Sequence, residues 1–164
     1  MTRKTISKQN KPSMTDINIL YGTSEDIDTI VQFQMDMAME SEGTILDKNT
    51  LEKGVSAAMT DENRGRYLVA KLDVEVVGSL MLTREWSDWN NCWYLWVQSV
   101  YITPHHRGKG IYKAMYQKVR ELAKEEGIRQ IRLYVDKDNV TAQRVYKQLG
   151  MDECHYLMYE EEIN

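Results

Sequence analysis

The stretch His105–Tyr112, HHRGKGIY, brings together two glycines, Arg107, Lys109 and two histidines, with no acid among them. It follows the apolar, strand-like run CWYLWVQSVYI and precedes KAMYQKVRELAKEEG, which has helical periodicity. A strand, a glycine turn and a helix start aim free backbone N–H groups at one point. The helix dipole adds positive character there, and glycine lets an anion approach the backbone with no Cβ in the way. The chemistry on offer is anion binding, with a phosphate or pyrophosphate as the natural guest and Arg107 and Lys109 as supporting charge. The turn is not a Walker loop, because no Ser or Thr follows its Gly–Lys pair. Nor is it a dinucleotide fingerprint, because Lys113 stands where a third small residue is needed. Taken alone, it reads either as a phosphate cradle or as a plain strand-to-helix connection.

The elements that must position this turn follow from periodicity and punctuation. INILYG reads as a first strand, and Thr23-Ser24-Glu25-Asp26 as the cap of a helix through IDTIVQFQMDMAMES that stops at Gly43. Ile27, Ile30, Val31, Gln34 and Met35 fall at helical spacing. A second helix, DKNTLEKGVSAAMTD, starts near Asp47 or Asn49. RYLVAKL and VEVVGSLMLT read as a β-hairpin. CWYLWVQSVYI is apolar on both faces, as a strand covered on both sides should be. After the glycine turn, Ile111, Met115, Val119 and Leu122 form one helical stripe that ends before Gly127. RQIRLYVD reads as a strand, NVTAQRVYKQLG as a shorter helix, and MDECHYLMYEEE as a last strand. This order predicts a mixed α/β fold around one central sheet.

The 164 residues suit a flexible basic arm over 1–15, carrying Arg3, Lys4, Lys8 and Lys11, and one domain over 16–164. With a net charge of −4, a nucleic-acid partner is not expected. Hydrophobic residues make up 42% of the chain, yet no apolar run approaches the length of a membrane span, so no membrane partner is expected either. Cys92 and Cys154 have no CxxC spacing, and His105, His106 and His155 complete no metal pattern, so no metal is expected. Two reduced thiols suit a cytoplasmic protein.

Two blocks carry a resemblance. VYITPHHRGKGIY resembles the acetyl-CoA signature of the GNAT superfamily of N-acetyltransferases, with Val100, Ile102 and Pro104 matching its strand half and Arg107 and Gly110 its loop. Tyr112 departs from the small residue that ends the family pattern. NVTAQRVYKQLGM is similar to the family's second block at Asn139, Ala142, Tyr146 and Gly150, with Met151 in place of an aromatic residue. The resemblance covers about residues 16–159 and agrees with the element order above.

It implies a GNAT fold: a central mixed, mostly antiparallel sheet with a parallel V-shaped splay between its two middle strands, flanked by four helices. It implies acetyl-CoA as cosubstrate and a primary amine, of a small molecule or of a larger substrate, as acceptor. Backbone N–H groups of Arg107, Gly108, Lys109, Gly110, Ile111 and Tyr112 would hold the pyrophosphate, Val100, Tyr101 and Ile102 would pair with the pantetheine arm, and Asn139 would steady it. The Val100 N–H would stabilise the tetrahedral oxyanion, and Tyr146 would protonate the departing thiolate and complete the cofactor site. Related enzymes often place a Glu where this chain has Gln98, which cannot usefully accept a proton. Glu85 is then the first candidate base, ahead of Asp88, Glu40 and Glu42. For the acceptor, Glu40, Glu42, Trp86, Trp89 and Gln98 are the expected contacts, because carboxylates and aromatic faces suit an ammonium group. The resemblance admits a homodimer. The alternative to an enzyme is an acyl-CoA-binding sensor or assembly module without catalysis.

Overall fold

A computed structural model of the chain describes residues 17–163. The expectations for the basic arm fall on residues outside that range. The elements are β1 (Ile17–Tyr21), α1 (Ile27–Glu42), α2 (Lys48–Thr60), β2 (Arg66–Leu72), β3 (Glu75–Ser87), β4 (Cys92–Ile102), α3 (Ile111–Glu125), β5 (Gln130–Arg132) and α4 (Val140–Gln148). The chain divides into two compact units after Leu133.

In the first unit, five strands form one sheet in the order β1-β2-β3-β4-β5. Every pairing is antiparallel except β4 with β5, which is parallel. This is the mixed, mostly antiparallel sheet that the resemblance implies. Each face carries its own core. Leu80, Leu82, Leu95 and Val97 pack with Ile111, Met115, Val119 and Leu122 of α3 on one face. Val69, Tyr67 and Met81 pack with Ile30, Val31 and Val55 of α1 and α2 on the other. The α3 stripe read from the sequence is thus the buried stripe.

Helix ends follow local chemistry. Gly43 stops α1 in the left-handed region at φ 63°. Asp47, rather than Asn49, caps α2: its Oδ1 accepts from the Thr50 N–H at 2.8 Å and from the Thr50 hydroxyl at 2.6 Å. Two expectations are corrected. β5 is three residues long, not the eight of RQIRLYVD, and the expected last strand over 151–162 does not form. A strand exists as a pairing, and propensity in MDECHYLMYEEE supplies only one side of a ladder. Tyr156, Leu157, Met158 and Tyr159 are left exposed.

Two carboxylates tie helices to the sheet. Asp26, 3% exposed, accepts from Lys71 Nζ at 2.8 Å and from the Thr23 N–H at 2.9 Å. Glu126, just past α3, accepts from Arg66 at 2.7 Å and from Arg84 at 2.5 Å. Burial pushes both carboxyls up, but the hydrogen bonds and charges of these partners outweigh it and hold both below the usual carboxylate range. A carboxyl with a lowered folded pKa contributes stability that is full above its unfolded pKa and is lost as pH falls through the folded one. Thermal stability should therefore drop as pH falls below about 4. Asp26→Asn should cost about 2 kcal/mol at neutral pH, or about 4–8 °C in Tm, and should make the acid loss shallower. Calorimetric melts of both proteins between neutral and acid pH check this; an unchanged acid slope would exclude Asp26 as a contributor.

Candidate functional site

The site begins where β4 loses its parallel partner. The β4–β5 ladder ends at Trp96↔Arg132, whereas the β3–β4 ladder runs on to Gly78↔Ile102. Residues 97–102 of β4 therefore present a strand edge with no ladder partner on the β5 side among the described residues. Within that stretch the β3 register steps from Gln98↔Met81 to Tyr101↔Ser79. Ser99 and Val100 together face Leu80, which makes a β-bulge. Ser99 sits at φ 51°, a region a serine in a central strand rarely visits. The bulge re-aims the backbone at Val100, the residue expected to donate to an oxyanion. Gly78 lets β4 close up here: a Cβ on it would stand 3.0 Å from the Tyr101 carbonyl oxygen.

The loop beyond β4 is tied at its start and open at its end. The Thr103 N–H donates to the Val77 carbonyl at 3.0 Å, and Pro104–His106 form a single 3-10 turn. Gly108 and Gly110 then take φ 71° and 81°, conformations that glycine adopts without a Cβ penalty. The first α3 bond joins the Ala114 N–H to the Gly110 carbonyl at 3.0 Å. The N–H groups of Ile111, Tyr112 and Lys113 precede any intrahelical acceptor and point out of the helix start. These are the donors from which the anion cradle expected at HHRGKGIY would be built. Ile111 is buried and anchors it. The Tyr112 ring stacks along the helix on Tyr116, with centroids 6.1 Å apart and planes 25° apart. A bulky residue is accommodated there because its ring follows the helix flank.

Arg107 does something the sequence did not reveal. Its Nη2 donates to Glu40 Oε2 at 2.7 Å, its Nε donates to the Ile102 carbonyl at 2.8 Å, and its guanidinium lies 5.3 Å from the centre of the Tyr101 ring. The Tyr101 hydroxyl donates to Glu40 Oε1 at 3.1 Å, and its ring packs on Phe33 at 5.1 Å. Burial, then the bond to Glu40, pushes the Tyr101 hydroxyl up, so it stays protonated and donates.

On the α1/α2 face, Gln98 Nε2 donates to Thr83 Oγ1 at 2.6 Å. Next to it, Glu85 accepts from Trp96 Nε1 at 2.5 Å and from Arg132 Nη1 at 3.0 and 3.1 Å. Arg132 lies over the Tyr94 ring at 4.3 Å. Gln98 and Glu85 are thus brought to one face, one strand apart. Trp96 joins them, with Thr83 and Arg132, which were not singled out from the sequence; strand alternation, which puts Thr83 and Glu85 on the face of Tyr94, Trp96 and Gln98, was the signal that could have found Thr83. Trp86 directly follows Glu85 and so lies on the other face, where it meets Trp93 edge-on at 5.1 Å. Trp89, 88% exposed, occupies the hairpin turn, and Asp88 accepts from its N–H at 2.9 Å. Glu42 is exposed at the end of α1.

In the second unit, Asn139 caps α4, its Oδ1 accepting from the Ala142 N–H at 3.0 Å. Its amide oxygen is committed, and its NH2 remains the donor for any ligand. Tyr146 lies in α4, and burial pushes its hydroxyl above the ordinary tyrosine range. Among the described residues, no group of His, Cys, Asp and Glu could hold a metal ion, and no helix is long and apolar enough to cross a membrane.

A profile described as the acetyltransferase (GNAT) family matches residues 30–151. A crystal structure from Clostridium difficile 630, described as that of a possible acetyltransferase, is 42% identical with a TM-score of 0.84, over 90% of this chain and 98% of that one. An acetyl-CoA complex from Clostridium acetobutylicum shares the fold at 18% identity and a TM-score of 0.74, over 88% of this chain and 96% of that one. Thialysine N-epsilon-acetyltransferase of Bos taurus is 33% identical over 78 residues, 48% of this chain and 45% of that protein. The chain spans less than half the length of the curated relatives it matches.

Proposed function

The chain belongs to the acetyltransferase (GNAT) family, and from that premise we propose that it is an acetyl-CoA-dependent N-acetyltransferase acting on a primary amine of a small molecule or of a larger substrate. The observation that carries the reading is the open β4 edge over residues 97–102, which leads straight into the cradle of N–H groups at the start of α3. An extended pantetheine arm needs the first, and a pyrophosphate needs the second. The bovine relative is named for acetylating a side-chain amine, which favours an alkylamine acceptor here too. The two free cysteines suit a cytoplasmic setting.

Acetyl-CoA supplies the activated acyl group as a thioester. The chain supplies position and proton control. An alkylammonium has a pKa of about 10, so the acceptor must lose a proton before it can attack. Gln98, held by Thr83, can orient that amine or a water but cannot take its proton. Glu85 is a carboxylate on the same face, and with both oxygens accepting from Trp96 or Arg132 it would receive the proton through water. The Val100 N–H at the bulge would bond the developing oxyanion. Tyr146 would give its proton to the departing thiolate. Gln98, an expected acceptor contact, and Glu85, the expected base, share one face. Trp86 and Trp89 are better placed for a substrate that reaches around the hairpin, and Glu42 for one that passes the end of α1.

One observation favours a second reading. Gln98 is an amide where an acid would be convenient, and Glu85 is already paired, as in a module that binds acyl-CoA without using it. Incubation with acetyl-CoA and a panel of alkylamines, amino acids and peptides separates the two. Thiol release that depends on one amine class is expected. Calorimetric binding of CoA with no amine-dependent release from any member would sink the enzyme reading in favour of the module.

A further inference from the structure

The sequence suggests Arg107 for the phosphates and Glu40 for the acceptor, yet the structure gives these two side chains to each other. Glu40 accepts from Arg107 through one oxygen and from Tyr101 through the other. Arg107 in turn reaches back to the Ile102 carbonyl. One carboxylate at the end of α1 therefore holds both the last residues of β4 and the first residue of the loop.

We propose that Glu40 is a positioning residue for cofactor binding: through Arg107 and Tyr101 it fixes the loop 107–112 to α1 before the ligand arrives. In this arrangement Arg107 acts as a strut and not as a phosphate ligand. The proposal rests on the acetyl-CoA reading of the cradle. Its physical basis is conformational entropy. Gly108 and Gly110 make the loop permissive, and glycine loses more freedom on ordering than any other residue. A loop ordered beforehand binds more tightly because the ligand does not have to order it. Electrostatics point the same way. A carboxylate beside a pyrophosphate site repels the ligand unless a cation stays paired with it, and Arg107 is that cation.

A rival arrangement, in which Arg107 leaves Glu40 to clasp the phosphates, predicts effects of opposite sign. Removing Glu40 would then free Arg107 and tighten binding. Under the strut proposal, Glu40→Ala weakens CoA binding about 5- to 20-fold by calorimetry. In the ligand-free protein, it also speeds amide hydrogen exchange at 108–112 about fivefold or more, with the β2–β3 core unchanged. Glu40→Gln, which keeps an acceptor oxygen, falls between Ala and wild type. Glu40→Ala combined with Arg107→Ala binds no more weakly than Arg107→Ala alone, because both remove one strut. The melting temperature moves little, since the two side chains are 46% and 42% exposed. Tighter CoA binding by Glu40→Ala, or unchanged exchange in the loop, would overturn the proposal. Wild-type protein that binds no CoA would instead sink the acetyl-CoA reading, and the exchange measurement would still decide whether Glu40 orders the loop.

Discussion

Replacing Tyr146 with phenylalanine should lower kcat by about two orders of magnitude and leave the affinity for acetyl-CoA nearly unchanged. The substitution deletes one oxygen and keeps the ring, so packing around α4 is preserved. Burial holds the Tyr146 hydroxyl protonated well beyond neutral pH, which is the state a proton donor requires. A free thiol has a pKa of about 8.5, so near neutrality the leaving sulfur ends protonated and the step gains from a donor in place. The wild-type kcat should stay flat through neutral pH on the tyrosine's account, because a raised pKa puts its deprotonation at more alkaline values. Steady-state kinetics against acetyl-CoA, with calorimetry alongside, reads both quantities. A kcat within about threefold of wild type would remove Tyr146 from the mechanism.

The second large effect is expected at Gly110. A valine there would have to adopt φ 81°, where a β-branched residue is a true outlier at a cost of about 2–3 kcal/mol. The chain would relieve that cost by rotating the peptide units at the start of α3, which would turn the N–H groups of Ile111 and Tyr112 away from the helix start. Affinity for CoA should fall about 30- to 100-fold, a loss of the same size as the strain it reflects. Gly54→Ala is the control. Gly54 lies inside α2, and a Cβ there meets nothing within 4 Å, so the change should raise stability by about 0.5–1 kcal/mol and leave CoA binding alone. Equal CoA affinity in Gly110→Val and wild type would show that the cradle is not the phosphate site.

What the sequence made legible was local. The α3 stripe, the glycine stop at 43, the two-faced apolarity of β4 and the glycine turn before α3 are each written in a few adjacent residues. What stayed hidden depends on residues far apart in the chain. Arg107 meets Glu40 across 67 positions, and Arg132 meets Glu85 across 47. No spacing rule links such partners, because the pairing exists only after the strands take their register. Ser99 hid for another reason. Its left-handed backbone answers the extra residue in β4, and serine is not a residue type that announces that conformation. The length of β5 and the fate of 151–162 are not legible locally, because β-propensity describes a surface waiting for a neighbour and no adjacent residue supplies that neighbour.

The open edge of β4 reaches beyond catalysis to how the protein should be handled. A strand edge without a ladder partner is a template for any extended chain, including a second copy of the same strand. If the pantetheine arm is what normally lines that edge, the ligand also shields it, and stability rises with ligand concentration by mass action. Protein stripped of cofactor should then precipitate sooner on storage and express less well in cells depleted of CoA, with no change in its sequence. Adding CoA to the purification buffer would be formulation and assay in one step.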